Sequence, residues 1–209
     1  MILYDHPASG NCMKARILLR HLDIPFERVR LDLFKGETRT AEHFERNPDG
    51  RIPVLELDSG EHIVESNAIL AHLAEGTAYL PEPGLARTRV FECMFFEQDR
   101  IEAELGYARF LRLSGRHEQL PDVYESRLER GIDALAALDR GLSDGRDFAA
   151  GDYSIADIAL YAYVHCAGDA GADPRGHASI AAWLDRVEAQ PGFVNDLEPV
   201  PAHASARPV

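Results

Sequence analysis

The chain has 209 residues, of which 45% are hydrophobic, 27% charged and 8% aromatic. This composition is ordinary for a globular protein and excludes a collagenous, mucin-like or disordered chain. Lys and Arg number 22 against 35 Asp and Glu, so the formal net charge is −13. Because such a surface repels phosphate backbones and anionic lipids, we expect neither nucleic acid nor a membrane as a partner.

No segment reaches the roughly 18 apolar residues that a membrane span requires, and we expect no signal peptide. The cysteines, Cys12, Cys93 and Cys166, are far apart in the sequence and odd in number. They do not form a disulfide framework, and they fit the reducing cytoplasm, where we expect the protein to work. The nine histidines lack the paired spacings of metal sites, so we expect no bound metal.

Residues 1–76 predict a small α/β domain that opens with a strand, a helix and a second strand. Ile2–Tyr4 is a short apolar run typical of a strand, and Asn11 is the predicted N-cap of the first helix. The segment 26–33 alternates apolar and charged residues, which is the period of a half-buried strand. Strand, helix and strand within about thirty residues predict a parallel βαβ unit.

The rest of this domain predicts a short helix, a hairpin and a final helix. Asn47-Pro-Asp-Gly is a strong turn that ends the segment holding the short helix. Two apolar runs, at 52–57 and 62–64, are separated by turn residues and predict a β-hairpin. The helix that follows has Ser66 as its predicted N-cap.

A proline-rich linker at residues 77–85 separates this domain from an all-helical domain at 86–209. Beyond the linker, apolar residues recur at helical spacing, and no strand pattern is convincing. The predicted helices span residues 86–112, 122–142, 154–166 and 179–190, with Trp183, Leu184 and Val187 in the core. The tail from Pro191 is predicted to be irregular and to wrap the surface.

Four pieces of the sequence, in this order and spacing, resemble those of cytosolic glutathione transferases. They are Ser9-Gly-Asn-Cys-Met-Lys-Ala-Arg, Asn47-Pro-Asp-Gly-Arg-Ile-Pro-Val-Leu, Glu65-Ser-Asn-Ala-Ile-Leu and Gly151-Asp-Tyr-Ser-Ile-Ala-Asp. Each piece alone is weak, but together they are specific, and the resemblance covers nearly the whole chain. It implies the glutathione transferase fold, which is a thioredoxin-like α/β domain followed by an all-α domain, and it implies a homodimer.

The chemistry of the first piece is the activation of a thiol. An ordinary thiol with a pKa of about 8.5 is only a few per cent thiolate at pH 7, and the thiolate is the nucleophile. A donated hydrogen bond and a helix N-terminus both stabilise the thiolate. Ser9 lies just before the first helix, and the resemblance to theta-like and bacterial members implies that it activates glutathione. The alternative is that Ser9 only caps the helix.

Two other residues compete with Ser9 for this role. Tyr4 lies in the first strand, and another branch of the family uses a tyrosine near the end of that strand. Cys12 lies one turn into the first helix, where a low pKa would let it form a mixed disulfide with glutathione. The alternative for Cys12 is a buried small apolar residue.

The resemblance assigns the second piece to the binding of glutathione. The Ile52–Pro53 bond would be cis, and the backbone of Ile52 would pair with the cysteinyl part of glutathione as an added strand does. Arg51 would lie near the glycyl carboxylate. Otherwise Arg51 is a solvated charge and Pro53 an edge-strand proline. Thr38 stands at a family position that is often His, which leaves the glycyl end undefined.

The third piece offers a receptor for a zwitterion. Ser66 at a helix start presents its hydroxyl and the first-turn N–H groups to a carboxylate. Glu65, directly before it, can accept hydrogen bonds from an α-ammonium group. An adjacent Glu and Ser therefore suit the γ-glutamyl end of glutathione, although an acid before an N-cap is a common pattern.

Two further features lie in the helical domain. Phe95, Tyr107 and Phe110 lie on the long helix that lines the second-substrate pocket in the family, and they could contact an apolar electrophile. A helix-face core position is the alternative for all three. Ser154 and Asp157 have the spacing of a capping box, for which we expect a structural role.

These observations leave three hypotheses for function. The first is a glutathione S-transferase, with a role in detoxification, that directs the thiolate of its co-substrate glutathione at a small electrophile without a metal. The second is thiol–disulfide exchange or deglutathionylation through Cys12. The third is a non-catalytic binding module that keeps the fold, which the pattern of Ser9, Arg51, Glu65 and Ser66 opposes.

Overall fold

The computed structural model describes residues 1–200, which fall into two compact units. The first unit comprises Met1–Glu75 together with Pro191–Pro199, and the second comprises Gly76–Gln190 and Val200. The sequence assigns residues 191–199 to the helical domain, whereas in the structure they cluster with the first unit. The last nine residues of the predicted tail lie outside the described part of the chain.

The first unit is built on a four-stranded sheet in the order β2-β1-β3-β4. Its strands are β1 (Ile2–Asp5), β2 (Glu27–Arg30), β3 (Val54–Glu56) and β4 (His62–Val64). Strands β1 and β2 are parallel, which confirms the predicted βαβ unit, whereas β1–β3 and β3–β4 are antiparallel. The predicted hairpin is therefore present, with a shorter first strand than the sequence indicates.

Three helices complete this unit: α1 (Gly10–His21), α2 (Ala41–Arg46) and α3 (Ser66–Ala74). Alternation along β1 places Leu3 and Asp5 on one face of the sheet and Tyr4 on the other. The Asp5 carboxylate accepts a hydrogen bond from Arg16 of α1 at 2.7 Å, so this face lies against α1. Helix α3 packs on α1 in turn. Leu3 is fully buried on this face, as are Leu18 of α1 and Ile69 of α3 in the same unit.

In the described residues of the second unit, helices joined by loops are the regular structure, and a single isolated bridge links Phe148 and Gly151. Its α-helices are α4 (Leu85–Phe96), α5 (Tyr107–Leu113), α6 (Pro121–Leu142), α7 (Ile155–Val164) and α8 (Ala178–Glu188). The long helix predicted at 86–112 is thus two α-helices joined by a π-helical segment, Glu97–Gly106. Helix α6 packs closely on this segment at Gly131, where a side chain would overlap Leu105.

Asp157 links the start of α7 by hydrogen bonds to the preceding loop and to α8. The predicted capping box is present, since Asp157 accepts from the Ser154 N–H at 3.0 Å and Ser154 caps the helix. The other carboxylate oxygen accepts from the Ala149 N–H at 2.8 Å and from the Trp183 indole N–H at 2.9 Å. Asp157, Trp183 and Val187 are fully buried, and Leu184 is 1% exposed.

Within residues 1–200, every helix is too short or too polar to span a bilayer.

The Asp157 network yields a stability prediction. Replacing Asp157 with Ala leaves three buried N–H donors without an acceptor, so we expect a loss of about 3 kcal/mol or more in the free energy of unfolding. Asp157→Asn keeps one carbonyl acceptor and should lose less. Thermal and urea denaturation followed by circular dichroism measure this.

The control is Asp152→Ala, because Asp152 is an exposed acid a few residues away. We expect its effect to stay within about 0.5 kcal/mol. Equal stability of the Asp157→Ala and Asp152→Ala proteins would contradict a structural role for the network.

Candidate active site

Ser9 caps helix α1. It has extended backbone geometry (φ −86°, ψ 122°), and its Oγ accepts a hydrogen bond from the Cys12 N–H at 3.3 Å. The sequence predicts Asn11 as the N-cap, which is wrong because α1 begins at Gly10 and Asn11 is already helical. A hydroxyl that accepts from the helix keeps its own proton to donate. Ser9 therefore presents a hydrogen-bond donor at the positive end of α1.

A hydrogen-bonded group connects the starts of α1 and α3. The Ser66 hydroxyl donates to Asn11 Oδ1 at 3.1 Å. Lys14 Nζ donates to Ser66 Oγ at 3.3 Å and to Asn67 Oδ1 at 3.2 Å, and the Lys14 side chain is fully buried. Two helix N-termini and one ammonium group therefore converge, and each of them favours a negative charge.

Glu65 precedes α3 in a strained conformation. Its φ of 67° lies in the left-handed region, which a residue with a side chain adopts at a cost of about 1–3 kcal/mol. Glu65, not Ser66, occupies the N-cap position, so the predicted cap is wrong by one residue, and Ser66 is the first helical residue. The Glu65 side chain is exposed while Ser66 is buried. Strain of this kind concentrates at binding sites.

The segment around Arg51 is held through its backbone. The Arg51 carbonyl accepts from Asn47 Nδ2 at 3.0 Å and lies 3.0 Å from His43 Nε2. The Ile52–Pro53 bond is cis, as the resemblance implies. The Arg51 side chain is exposed, and its Nε lies 2.6 Å from Asp49 Oδ2, so its charge is partly balanced.

Thr38 is buried beside this segment. Its carbonyl lies so close to Gly50 that a side chain there would contact it. Gly50 also has a φ of 65°, which only glycine adopts without strain. Thr38 thus packs against the turn before Arg51, and its burial leaves little of it for a ligand.

Tyr4 lies on the side of the sheet that faces away from α1, at whose start Ser9 lies. It occupies the face of the sheet opposite to Asp5, and its hydroxyl donates to Glu56 Oε2 at 2.8 Å. The Arg46 guanidinium lies over its ring, 4.3 Å from the centroid. Burial and the bond to Glu56 raise the pKa of Tyr4. These contacts describe a structural tyrosine.

Cys12 points into the core from the first turn of α1. Its side chain is fully buried, and burial raises the pKa of the thiol to about 12. The helix N-terminus favours the thiolate, but the loss of hydration outweighs this effect. Burial likewise raises the pKa values of Cys93 and Cys166 to about 11. All three thiols are therefore protonated at neutral pH.

The aromatic residues predicted for the second substrate divide into two places. Tyr107 and Phe110 stack with ring centroids 6.3 Å apart, and Arg127 and Arg116 lie over their outer faces. Phe95 lies three turns earlier, on α4, and is 72% exposed. The structure therefore brings two of the three residues together.

The sequence does not predict the contacts of Asn11 and Lys14 with the start of α3. Asn11 and Lys14 are three residues apart on α1, so they share a face, but nothing in the sequence pairs that face with Ser66. A buried Lys is the signal that the structure adds, because lysine is almost never fully buried without partners. Within residues 1–200, no three metal-ligating side chains come together.

Comparison with known proteins agrees with this geometry. Residues 1–75 match the family model described as glutathione S-transferase, N-terminal domain. The structure is similar to that of a glutathione S-transferase from Pseudomonas fluorescens Pf-5, with a TM-score of 0.90 and 40% identity. That match covers 94% of this chain and 98% of the other. The predicted fold class, a thioredoxin-like α/β domain followed by an all-α domain, is confirmed.

Two relatives extend the comparison. Glutathione S-transferase theta-1 of Mus musculus is 29% identical over 201 residues, which is 91% of this chain and 83% of that protein. Maleylacetoacetate isomerase of Rhizobium meliloti (strain 1021) is 39% identical over 92 residues. That match spans 43% of each protein, so the chain matches less than half the length of the isomerase.

The burial of Cys12 yields a reactivity prediction. With a pKa of about 12, Cys12 carries roughly a thousandfold less thiolate at pH 8 than an ordinary thiol. We expect it to resist 5,5′-dithiobis(2-nitrobenzoate) in the folded protein, and to react only on unfolding or as the pH rises towards that value. Mass spectrometry of labelled peptides measures each cysteine separately.

The Cys12→Ala protein is the control, and it should show one thiol fewer in denaturant with the same labelling when folded. Rapid labelling of Cys12 in the native protein would contradict this prediction and would support thiol–disulfide exchange through this residue.

Proposed function

The chain belongs to the glutathione S-transferase family, and from this premise we propose that it binds reduced glutathione in the first unit. We further propose that Ser9 activates the glutathione thiol for attack on a small apolar electrophile. The observation that carries the proposal is the convergence of Ser9 and the group Asn11–Ser66–Lys14 at two helix N-termini. This arrangement offers one place for a thiolate and another for a carboxylate.

Activation of the thiol requires only a modest stabilisation. The Ser9 hydroxyl accepts from the Cys12 N–H and keeps its own proton, which it can donate to the sulfur of glutathione. A shift of one unit in the thiol pKa corresponds to about 1.4 kcal/mol and a tenfold change in the ratio of thiolate to thiol. One hydrogen bond to a charged group, assisted by the end of α1, supplies this amount.

The γ-glutamyl end has two complementary groups at the start of α3. The first-turn N–H groups can donate to the α-carboxylate, and the Ser66 hydroxyl can do so by turning from Asn11 Oδ1 to the ligand. The ammonium of Lys14 adds positive charge behind Ser66. Glu65, directly before Ser66, has an exposed side chain whose carboxylate suits the α-ammonium. Its strained backbone places this carboxylate before the helix, where it does not compete for the helix N–H groups.

We assign the rest of glutathione to residues 51–53. The backbone of Ile52 before Pro53 pairs with the cysteinyl part, and Arg51 attracts the glycyl carboxylate. Since the Arg51 guanidinium already pairs with Asp49 in solvent, its contribution is small, about 0–1 kcal/mol.

In the reaction, the thiolate sulfur supplies the electron pair for a new carbon–sulfur bond. A leaving group departs with the pair from the broken bond or, in an addition, the electrophile takes up a proton from water. For the electrophile we propose contact with the stacked rings of Tyr107 and Phe110. We propose the cytoplasm as the site of action, where three unpaired cysteines stay reduced.

The similarity to maleylacetoacetate isomerase favours a second candidate function, which is the isomerisation of a substrate with glutathione as a recycled co-substrate. An isomerase leaves the total of free glutathione unchanged over many turnovers, whereas a transferase consumes one glutathione per product. Assaying glutathione consumption against substrate loss separates the two. Thiol–disulfide exchange through Cys12 is opposed by the burial of that residue.

Two serine variants test the proposed function by calorimetric titration with reduced glutathione. Ser9→Ala should bind glutathione as well as the wild type does, yet its thiolate absorbance near 240 nm should move about one unit higher in pH, because the donor to sulfur is lost. Ser66→Ala should bind more weakly by about 1–3 kcal/mol, because the carboxylate loses a partner.

Ser59→Ala is the matched control, since Ser59 is an exposed serine in the hairpin turn. It should behave like the wild type in both measurements. The proposal would be wrong if the wild type showed neither binding heat nor thermal stabilisation with millimolar glutathione.

We also propose a homodimer that uses one face of α4. Leu85 and Phe95 are 69% and 72% exposed, and between them lies the ion pair of Arg89 with Glu92 at 2.6 Å. A face with both charge signs between apolar residues is complementary to a second copy of itself, as a two-fold interface requires. We therefore assign Phe95 to this contact and not to the electrophile.

Phe95→Asp should convert the dimer to a monomer, because a charge replaces a large apolar anchor of the interface worth about 2 kcal/mol or more. Size-exclusion chromatography with light scattering at micromolar concentration measures the mass. Val123→Asp, at a 39% exposed position on α6, should stay dimeric. A monomeric wild type would contradict the proposal.

A further inference from the structure

We propose that the segment Pro191–Pro199, here called the C-terminal strap, positions the loop that carries Ser9, and that Asp196 is its positioning residue. The inference rests on the proposed function, because it gives the strap a role in thiol activation. The strap clusters with the first unit, and it forms hydrogen bonds with the loop after β1, with α1 and with β2.

Asp196 is the centre of the strap's contacts. Its carboxylate accepts from Arg16 Nε at 2.8 and 3.0 Å and from Arg20 at 2.7 Å, and Arg28 lies 3.8 Å away. Burial by itself raises the pKa of Asp196, but the hydrogen bonds from Arg20 and Arg16 outweigh it and lower the pKa. Asp196 is therefore ionised at neutral pH, among three cations and near one further carboxylate, that of Asp5.

Arg16 transmits this contact to the serine loop. Its side chain has no solvent exposure, and its three nitrogens are directed to three different acceptors. Nε donates to Asp196, one terminal nitrogen donates to Asp5 Oδ1 at 2.7 Å, and the other donates to the Pro7 carbonyl at 3.3 Å. The planar guanidinium fixes these directions relative to one another.

The strap also holds the same carbonyl directly. The Glu198 backbone N–H donates to the Pro7 carbonyl at 3.1 Å, so both lone pairs of this oxygen are used. Pro7 is two residues before Ser9, and the loop between them is tight. The Ser9 N–H donates to the His6 carbonyl at 3.0 Å, and the Ala8 N–H donates to His6 Nδ1 at 3.2 Å. A displacement at Pro7 therefore reaches the Ser9 hydroxyl.

Loss of the Asp196 charge changes the balance around Asp5. Arg16, Arg20 and Arg28 would then face Asp5 as the one remaining carboxylate of the group, and Arg16 is too deeply buried to turn to solvent. A buried charge seeks another partner, so we expect Arg16 to shift and release Pro7. A hydroxyl that stabilises a thiolate must be held within about half an ångström, so even a small shift reduces activation.

The test compares Asp196→Asn with the wild type in the full chain, with two readouts. The first is amide hydrogen exchange by NMR, where we expect the Ser9 and Cys12 amides to exchange about tenfold faster or more. The second is the glutathione reaction. We expect the thiolate absorbance to shift upward by about half a pH unit or more and kcat to fall severalfold, while KM for glutathione changes less than twofold because the Ser66 group is intact.

Asp185→Asn is the matched control, because Asp185 forms an exposed Asp–Arg pair with Arg175 at 2.8 Å in the second unit. It should change neither readout. Arg20→Gln is the milder second variant should Asp196→Asn not fold, since Arg20 is partly exposed and contacts Asp196 with one nitrogen. It should shift both readouts in the same direction by a smaller amount.

Two results would overturn the inference. One is a lower melting temperature of the variants with unchanged exchange at Ser9 and Cys12 and an unchanged thiolate profile, which would make the strap a packing element only. The other is wild-type behaviour in all measurements. If the wild type does not activate glutathione, the proposed function fails, but the exchange of the Ser9 amide still decides whether the strap holds the loop.

Discussion

The first unit depends on an ion pair that has no access to solvent. Arg16 and Asp5 are both fully buried, and neither could remain charged there unless its hydrogen-bonding groups were satisfied. Asp5 therefore binds Arg28 of the neighbouring strand as well, and Arg16 binds the Pro7 carbonyl and the strap. A buried pair of this kind contributes little net stability, but removing one partner costs about 3–5 kcal/mol. Its main consequence is geometric, because Arg16 joins the middle of α1 to the end of β1 and to the loop between the two elements.

The geometry at the start of α1 determines which chemistry is available. Ser9 and Cys12 lie one helical turn apart at the same helix N-terminus, and both are residue types that could serve a thiol reaction. The direction of each side chain separates them: Ser9 lies at the cap, whereas Cys12 points into the core, where burial raises its pKa to about 12. A helix N-terminus favours an anion only where a ligand can reach it.

The connection of α1 to α3 then brings a second helix N-terminus to the first. Ser66 bonds to Asn11 across 55 residues of sequence, and the buried Lys14 supports both Ser66 and Asn67. A ligand with a thiol and a carboxylate a few bonds apart suits two adjacent helix N-termini better than either element alone. The strain at Glu65 is the counterpart of this arrangement, since it turns the chain into α3 so that the first-turn N–H groups remain open to a ligand.

The sequence by itself determined the local structure and the residue types of the site. Alternating residues predicted β2, helical spacing predicted the helices of the second unit, and the spacing of Ser154 and Asp157 predicted a cap, because these features depend on neighbours a few residues away. The motifs named Ser9, Glu65 and Ser66, although the predicted N-caps of α1 and α3 are wrong by two positions and one position. Only the tertiary structure decided that Ser66 bonds to Asn11 and that Asp196 bonds to Arg16, which is 180 residues away. Such contacts follow from how whole elements pack, and no periodicity along the chain encodes them.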